Sequence, residues 1–246
     1  MSTLRQAGKN AAKRILRRFG WVLSRSGGSA ERATMDAAFR AMQARGHDFA
    51  TVVDVGASDG RWSRHLMQYF PLCQYLLIEA NPQHEAALRE HCARHANARF
   101  VLAAAGEADG QIFFAQGGPF DGVASYAPGG SRVQVPMVSI DSQLRALDLR
   151  GPYLLKFDTH GFEVPILKGA ARTLAETDVI VMECYNFRIA PECLTFDEMC
   201  RYLGERGFRC IDLVDPLYRP RDGSFWQMDL VFVRDSRPEL AYNSYR

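Results

Sequence analysis

Short apolar runs and amphipathic stretches alternate along the chain from residue 51 onward. Runs rich in β-branched and aliphatic residues, each bounded by turn residues, predict five core strands at residues 51–55, 74–78, 98–103, 153–157 and 178–183. Stretches with apolar residues at helical spacing predict the helices between them, at residues 61–69, 82–95, 162–176 and 195–204. This alternation predicts an α/β fold, in which a doubly wound and mostly parallel sheet is covered by helices on both faces.

Four more runs complete the pattern of elements. Those at residues 208–214 and 228–233 leave no room for a well-formed helix between them, so an antiparallel hairpin is expected to finish the sheet. Those at residues 111–115 and 133–138 predict two extra strands around a glycine-rich loop.

A basic and acid-free segment precedes this pattern, with seven basic residues in residues 1–28. Residues 4–23 place apolar side chains on one helical face and basic side chains on the opposite arc, which predicts an amphipathic helix. Such a helix can bind an anionic membrane surface as a peripheral contact, or it can dock on its own domain or on a second subunit. Serines and glycines follow it as a flexible linker, so the chain is predicted to divide into a leader at 1–30 and one domain at 31–246.

Composition narrows the class of protein. Of 246 residues, 47% are hydrophobic and 24% are charged, which is typical of a folded globular chain. No run approaches the ~18 uninterrupted apolar residues that span a bilayer. The net charge of +2 combines a basic leader with a net acidic remainder, which argues against a nucleic-acid-binding fold. The six cysteines include no CxxC pair, so a reduced, cytoplasmic setting is expected, at the inner face of the membrane if the leader binds lipid.

The first predicted strand runs into a loop of pattern D-x-G-x-x-x-G, and ligands bind at such strand ends in doubly wound sheets. Gly56 permits a tight turn, and Gly60 lets the next helix start close to the strand. Ser58 replaces a glycine of the dinucleotide-binding GxGxxG loop, which disfavours a pyrophosphate and therefore a dehydrogenase. Acids at both ends of the loop suit a cationic or hydroxyl-rich ligand. The candidate cofactor-binding residues of the loop are Asp54, Gly56, Ala57, Ser58, Asp59 and Gly60.

Glu79 ends the second predicted strand, where a carboxylate can accept two hydrogen bonds from a ribose diol. Both NAD and S-adenosylmethionine sites use such an acid. S-adenosylmethionine has a sulfonium and an amino-acid end but no phosphate, so the glycine spacing favours it as the cofactor. Further cofactor contacts are predicted from position alone at Ala80, Asn81, Ala104 and Ala105.

Three blocks of sequence carry a family resemblance: residues 53–60, residues 78–82, and the D-x-x-G-x-E-x-x-x-L-x-G run at 158–169. Together they resemble the FkbM family of class I S-adenosylmethionine-dependent methyltransferases, over residues 50–235. The resemblance implies a Rossmann-like, seven-stranded sheet with an antiparallel last strand, and O-methylation, often of sugar or polyketide hydroxyls. His160 departs from the family pattern, which more often has Glu or Gln there, and this departure bears on the choice of acceptor.

Methyl transfer to an alcohol is an in-line displacement that requires alignment of the acceptor and removal of its proton. Asp158, at the end of the fourth core strand, and His160, two residues on, are the candidate bases. Alternatively, Asp158 caps the next helix and His160 is a solvated turn residue. Glu163 lies in the first helical turn, where the helix dipole favours an acid whatever its role. The resemblance matches Glu183 to the family's acidic strand end and adds it to the candidate catalytic residues.

Asp158, Glu183 and Asn186 form an alternative oxygen-rich site for Mg²⁺ at adjacent strand ends. Such an ion would acidify a bound diol. No tight metal motif accompanies these residues, so Mg²⁺ is not expected. His91 and His95 are i, i+4 neighbours without an intervening acid motif, which favours a helix surface over a zinc site.

Two segments are candidate walls for an acceptor. The loop at 117–130 is long and glycine-rich, which is typical of a lid, and its Phe120 and Tyr126 either stack on a sugar or pin the loop to the core. The segment at 215–226 mixes aromatic residues with arginines, a composition that suits a glycan, an anionic carrier or a dimer contact.

The predicted function is S-adenosylmethionine-dependent O-methylation of a sugar hydroxyl in a surface polysaccharide or glycolipid, and the basic leader favours a membrane-proximal version. Two alternatives keep the fold. One is O-methylation of a small natural product such as a polyketide, and the other is a non-catalytic cofactor-binding module that engages a partner. A monomer and a homo-oligomer are both compatible with these functions, and no nucleic-acid partner is expected.

Overall fold

The computed structural model describes residues 33–116 and 122–245. The predicted leader helix at 4–23 and Phe120 lie outside these residues, and the division of the chain at residue 30 stays a prediction. Within the described ranges, no helix is both long enough and apolar enough to cross a bilayer.

Eleven strands are present among the described residues. They are β1 (Thr51–Val55), β2 (Gln74–Glu79), β3 (Ala98–Leu102), β4 (Ala104–Ala105), β5 (Gly110–Gln116), β6 (Gly122–Ser125), β7 (Arg132–Val138), β8 (Tyr153–Phe157), β9 (Thr177–Tyr185), β10 (Phe208–Tyr218) and β11 (Phe225–Arg234). Seven of them form the central sheet in the order β10-β11-β9-β8-β1-β2-β3. Within this sheet, the neighbouring strands β9, β8, β1, β2 and β3 are parallel to one another. Strand β11 is antiparallel to both β9 and β10. The predicted seven-stranded, mostly parallel sheet with an antiparallel last strand is confirmed.

Helices cover both faces of this sheet. They are α1 (Met35–Ala44), α2 (Arg61–Leu66), α3 (Glu85–Arg94), α4 (Ile140–Ala146), α5 (Glu163–Lys168), α6 (Ala171–Ala175), α7 (Phe196–Gly204) and α8 (Pro238–Ala241). One apolar cluster joins the sheet to α1, α2 and α3, and the other joins it to α4, α5 and α7. Successive residues of β1 enter opposite clusters, Val52 the first and Val53 the second. Because both faces are covered, the central strands are apolar throughout rather than alternating.

The structure corrects the prediction of a loop at 117–130, because β6 lies inside that segment. The strand pairs antiparallel with β5, and together with β7 and β4 it forms a second, four-stranded sheet. Of the four residues of β6, Gly-Val-Ala-Ser, only Val123 has a strong intrinsic strand preference. Pairing with β5 therefore decides its conformation, and sequence pattern alone could not show this.

The prediction of one continuous helix at 162–176 is wrong, because the helical conformation is interrupted between α5 and α6. A Cβ on Gly169 would lie 2.1 Å from the carbonyl oxygen of Gly106, so only glycine permits this close approach of two backbones. Asp141 accepts hydrogen bonds from the backbone N–H groups of Arg172 (3.0 Å) and Thr173 (2.9 Å), and so caps α6. Asp141 itself lies in the first turn of α4, whose N-cap is Ser139.

Other element boundaries also differ from the predictions. The helix expected at 61–69 ends at Leu66, and the one expected at 82–95 divides into a 3₁₀ turn, Pro82–His84, and α3. The β10–β11 hairpin extends past the predicted strand ends, so much of the proposed wall at 215–226 is strand. Cross-strand pairing supports these extensions.

Strand β1 lies between β2 and β8, from which the chain proceeds in opposite directions across the sheet. Such a switch point opens a crevice at the carboxyl ends of the strands, where ligands bind in doubly wound folds. The ends of β1, β2, β8 and β9 carry Gly56, Glu79, Asp158 and Glu183.

Candidate active site

The turn after β1 is built around Gly56. Its φ is +73°, and a Cβ added to it would lie 2.0 Å from the carbonyl oxygen of Asp158. Its N–H donates to the carbonyl of Ile78 (2.9 Å), and the N–H of Asp158 donates to the carbonyl of Val55 (3.0 Å). Glycine is therefore required where the ends of three strands converge.

Lys156 lies beneath this turn and is almost wholly buried. Its Nζ is 3.1 Å from Oδ1 of Asp54, 3.1 Å from the carbonyl oxygen of Gly56, and 3.3 Å from Oδ2 of Asp158. Burial opposes the charge of Lys156, but the two carboxylates outweigh it and raise the pKa of the ammonium group. Asp54 also accepts a hydrogen bond from Ser63 Oγ at 2.7 Å. The buried ion pair thus fixes the loop from below.

Glu79 holds the loop from the side of β2. Its Oε2 accepts from the N–H of Ser58 (2.6 Å), and its Oε1 accepts from the N–H of Asn81 (2.7 Å). Ser58 has a φ of +52°, a conformation that is uncommon for a residue with a side chain. Each carboxylate oxygen keeps a further lone pair, so Glu79 remains able to accept from a ligand.

A cavity of about 260 Å³ opens above these residues. Ten of the predicted site residues line it: Gly56, Ser58, Glu79, Ala80, Asn81, Ala104, Ala105, Asp158, His160 and Glu183. Four others are not among the lining residues: Asp54, Ala57, Asp59 and Gly60. Asp54 is buried under the loop, and Asp59 forms an ion pair with Arg61 at 2.8 Å.

The cavity wall also contains residues that sequence reasoning missed. His84 places its Nε2 3.3 Å from Ser58 Oγ, and Phe114 and Ala124 come from the small sheet. Phe162 and Ile166 close the wall from the α5 side. His84 follows the Asn81–Pro82 turn closely, which is the one local signal that could have identified it. The small-sheet residues depend on tertiary pairing and have no such signal.

Three candidate catalytic side chains meet at the other end of the cavity. His160 Nε2 lies 3.5 Å from Asp158 Oδ1 and 3.7 Å from Glu183 Oε2. His160 Nδ1 is 3.2 Å from the carbonyl oxygen of Gly122 in β6. A carbonyl oxygen only accepts, so Nδ1 carries the hydrogen in this bond and a neutral ring has its lone pair on Nε2. His160 has a φ of +53°, which places its ring in this turn at the cost of backbone strain.

The two carboxylates of this cluster differ in their surroundings. Burial opposes the ionisation of Asp158, but Lys156, the neighbouring His160 and the hydrogen bonds to the carboxylate together outweigh it and lower the pKa of that carboxyl group. Burial raises the pKa of Glu183, and the charge of Asp158 raises it further. Glu183 accepts hydrogen bonds from the hydroxyl of Tyr185 and from the side-chain amide of Gln227. Asp229 is the cross-strand partner of Glu183 in β11 and adds a third acid beside the cluster.

Two other sequence candidates lie outside this group. Glu163 is buried and accepts from Thr159 Oγ1 (3.0 Å) and from the N–H of Gly161 (2.9 Å), so it organises the turn after β8. Asn186 donates to the carbonyl of Phe225 at 3.2 Å. His160, rather than Asn186, completes the group with Asp158 and Glu183.

Ring contacts extend outward from the cluster of Asp158, His160 and Glu183. The rings of His160 and Tyr185 are 6.5 Å apart, and those of Tyr185 and Trp226 are 6.0 Å apart. Trp226 stacks on Phe187 at 5.2 Å, and the guanidinium of Arg219 lies 4.5 Å from the Phe187 ring. In the other predicted wall, Tyr126 packs on Phe162 at 5.3 Å and is partly exposed.

Residues 54–210 match the model of a protein family described as the methyltransferase FkbM domain. Among solved structures, the chain is similar to an FkbM methyltransferase from Methylobacillus flagellatus, with 17% identity and a TM-score of 0.48, over 74% of this chain and 43% of that one. It is also similar to 1,6-didemethyltoxoflavin-N1-methyltransferase from Burkholderia thailandensis with bound S-adenosylhomocysteine, with 14% identity and a TM-score of 0.47, over 95% of this chain and 88% of that one. The chain spans less than half the length of the Methylobacillus protein. No curated protein matches it.

Proposed function

The chain belongs to the FkbM methyltransferase family, and from this premise we propose that it is an S-adenosylmethionine-dependent O-methyltransferase that acts on a sugar hydroxyl. The observation that carries the proposal is that Glu79 and the cluster of Asp158, His160 and Glu183 line the same cavity. One end suits a nucleoside with vicinal hydroxyls, and the other suits an alcohol that must lose a proton.

The cofactor end suits S-adenosylmethionine better than a phosphate-bearing nucleotide. Among the described residues that line the cavity, none is Lys or Arg, and acids predominate among the charged ones. Glu79 would hold the ribose hydroxyls, while Gly56 and Ser58 would border the amino-acid end. The cofactor supplies an electrophilic methyl group on a positively charged sulfur, and a site rich in carboxylates favours that charge.

The acceptor end contains the groups that promote loss of the hydroxyl proton. Asp158, His160 and Glu183 offer oxygen and nitrogen atoms that all lie within 4.8 Å of one another. Lys156 favours the ionised form of Asp158, and the hydrogen bond from His160 Nδ1 to the Gly122 carbonyl turns Nε2 toward the two carboxylates. These residues orient the acceptor oxygen, while the cavity wall positions it for in-line attack.

The choice of a sugar as acceptor rests on the ring contacts beyond the cluster. Tyr185 donates to Glu183, and the rings of Trp226 and Phe187 continue from it. Aromatic faces bind the apolar side of a sugar ring, and neighbouring carboxylates accept from its hydroxyls.

The cofactor proposal is tested by calorimetric titration of the full chain with S-adenosylhomocysteine, with NADH as the negative ligand. The wild-type protein should bind only S-adenosylhomocysteine, and Glu79→Ala should weaken that binding at least tenfold, since a charged hydrogen-bond acceptor contributes about 1.5–3 kcal/mol. Glu90→Ala on the exposed face of α3 is the matched control and should bind normally. NADH binding, or equal affinities in Glu79→Ala and wild type, contradicts the proposal.

The acceptor class is tested with methyl-labelled S-adenosylmethionine and two sets of acceptors, glycans and polyketide alcohols. Label on glycans, released by glycoside hydrolysis as a methylated sugar, is the expected result. Label on polyketide alcohols alone would assign a natural-product acceptor. Cofactor binding without transfer to either set would favour a non-catalytic module.

A further inference from the structure

We propose that Asp158, His160 and Glu183 bind a divalent first-row metal ion such as Mn²⁺, which holds the acceptor hydroxyl beside the methyl donor. The inference rests on the proposed O-methyltransferase function and states how the cluster acts on the acceptor. Four arguments carry it: the spacing of the three ligand atoms, the tautomer of His160, the groups that orient the two carboxylates, and the balance of charge around them.

The spacing of the ligand atoms suits one ion. One atom from each residue lies within 4.8 Å of the other two, in the sole such group among the described residues. His160 Nε2 is 3.5 Å from Asp158 Oδ1 and 3.7 Å from Glu183 Oε2, which is long for direct hydrogen bonds. Metal–ligand bonds of about 2.0–2.2 Å place neighbouring ligand atoms roughly 3–3.5 Å apart, so a small inward movement completes the site.

The orientation of His160 is that of a metal ligand. Its Nδ1–H donates to the Gly122 carbonyl, so the lone pair of the neutral ring lies on Nε2, between the two carboxylates. Metal-binding histidines typically donate their other ring N–H to a carbonyl or carboxylate in this way. Gly122 lies in the small sheet and is no part of the cluster, so this contact is independent of the acids.

Supporting groups also orient the two carboxylates. Lys156 Nζ lies 3.3 Å from Asp158 Oδ2, which leaves Oδ1 turned toward His160. Gln227 donates to Oε1 of Glu183, and Tyr185 donates to Oε2, the oxygen that lies 3.7 Å from His160 Nε2. Donors behind each ligand are the outer shell that fixes a metal site and tunes its affinity.

The charge around the cluster favours a cation. Asp158, Glu183 and Asp229 crowd one region, and Lys156, the nearest cation, is shared with the buried Asp54. Two carboxylates and one imidazole match first-row divalent ions such as Mn²⁺, whereas Mg²⁺ prefers oxygen ligands alone. His160 therefore directs the choice away from the oxygen-only Mg²⁺ site considered from sequence.

A cation at this position would act on the acceptor as a Lewis acid. It lowers the pKa of the bound hydroxyl, so the O–H bond breaks and the proton passes to water. The oxygen then forms the new O–C bond as the S–C bond breaks, which yields the methyl ether, S-adenosylhomocysteine and one proton. The ion is unchanged in this balance, and no oxidant or reductant is needed.

The test measures Mn²⁺ binding to the metal-stripped full chain. Electron paramagnetic resonance detects binding as a loss of the signal of free Mn²⁺. Wild-type protein should bind one Mn²⁺, and His160→Ala and Glu183→Gln should each weaken binding at least tenfold. His95→Ala and Glu90→Gln are matched controls on α3 and at its end, and both should bind as wild type. Gln227→Leu, which removes the donor to the second oxygen of Glu183, should weaken binding by a smaller factor.

S-adenosylhomocysteine binding by the same samples separates this inference from the proposed function. If His160→Ala and Glu183→Gln bind S-adenosylhomocysteine normally, both variants are folded and their effect on Mn²⁺ is local. Wild-type protein that binds S-adenosylhomocysteine but not Mn²⁺, or Mn²⁺ binding unchanged in both variants, overturns the metal site and leaves the proposed function standing. Absence of S-adenosylhomocysteine binding contradicts the proposed function itself, whatever the Mn²⁺ result.

Discussion

The two ends of the cavity are built in different ways. At the cofactor end, Glu79 accepts from the backbone N–H groups of Ser58 and Asn81. These hydrogen bonds join the loops that follow β1 and β2, which belong to one βαβ unit. At the acceptor end, His160 contacts Gly122 of the second sheet, and Glu183 contacts Gln227 of the antiparallel hairpin. The cofactor end is therefore fixed by backbone groups within a compact unit, and the acceptor end by side chains from separate parts of the chain. Under the proposed function, this difference would let acceptor choice vary while cofactor binding is kept.

Lys156 joins the two ends. Its ammonium group contacts the Gly56 carbonyl on the cofactor side and the Asp158 carboxylate on the acceptor side. The buried Asp54 provides the counter-charge that retains it. Four substitutions test how independent the two ends are.

Gly56→Ala should have the largest effect, because it disturbs both ends at once. The new Cβ would meet the Asp158 carbonyl at 2.0 Å, and the residue would keep an unfavourable positive φ. We expect a loss of about 4 kcal/mol in the free energy of unfolding, together with loss of S-adenosylhomocysteine binding. Urea unfolding and calorimetry measure the two effects.

Gly46→Ala is the matched control for this change. Gly46 has a similar φ of +70°, but nothing lies within 4 Å of an added Cβ. Gly46→Ala should lower the free energy of unfolding by about 1 kcal/mol, because only the positive φ is unfavourable for alanine there. Equal losses in the two variants would show that the close approach to Asp158 contributes little.

Lys156→Met should destabilise the fold by about 3 kcal/mol at pH 7, because Asp54 would remain buried without its counter-charge. Adding Asp54→Asn should recover part of that loss, which a double-variant series in urea would reveal. Since Lys156 touches both ends, the single variant should weaken both S-adenosylhomocysteine and Mn²⁺ binding. An effect on one ligand only would argue against its linking role.

His91 makes the cofactor end sensitive to acid. The expectation of a surface residue is wrong: His91 is buried and packs against Gly60, and both ring nitrogens are unpartnered among the described residues. Burial lowers the pKa of His91 to about 4, so the folded state resists its protonation. Its contribution to stability is complete above the unfolded pKa of about 6.5 and is lost as pH falls toward 4.

Between pH 7 and pH 4, the free energy of unfolding should therefore fall in both wild type and His91→Leu. The fall should be about 2–3 kcal/mol larger in wild type. Urea titrations at several pH values measure this difference. His65→Gln, which removes a partly exposed histidine of α2, is the matched control for the loss of a histidine. Parallel pH profiles for wild type and His91→Leu would refute the assignment.

Trp226→Ala should have the smallest effect and confine it to the acceptor end. Loss of an aromatic contact worth about 1–1.5 kcal/mol raises the KM for the acceptor roughly tenfold. Binding of S-adenosylhomocysteine should not change, because Trp226 contacts Tyr185 and Phe187 rather than the loops that carry Gly56 and Glu79. Tyr242→Ala, at an exposed aromatic residue after α8, is the control. A weakened cofactor affinity in Trp226→Ala would show that the two ends are coupled.

Prediction from sequence succeeded where structure is local and failed where it depends on distant partners. Strands β1 and β8 have the predicted bounds, because an unbroken apolar run between turn residues specifies a strand buried on both faces. Strand β6 was missed because its four residues need β5 beside them. The break between α5 and α6 was missed because Gly106 and Asp141, which shape it, lie far earlier in the chain.

Sequence pattern was enough to predict the α/β class, the glycine turn after β1 and the acid at the end of β2. Each depends on a periodicity or a spacing over a short stretch of chain, where local sterics and hydrogen bonding act. The folded structure was needed to show that His160, rather than Asn186, meets Asp158 and Glu183, and that Lys156 contacts both ends of the cavity. Side-chain contacts such as these depend on which strands become neighbours and how they are turned, and burial of the whole core settles that arrangement.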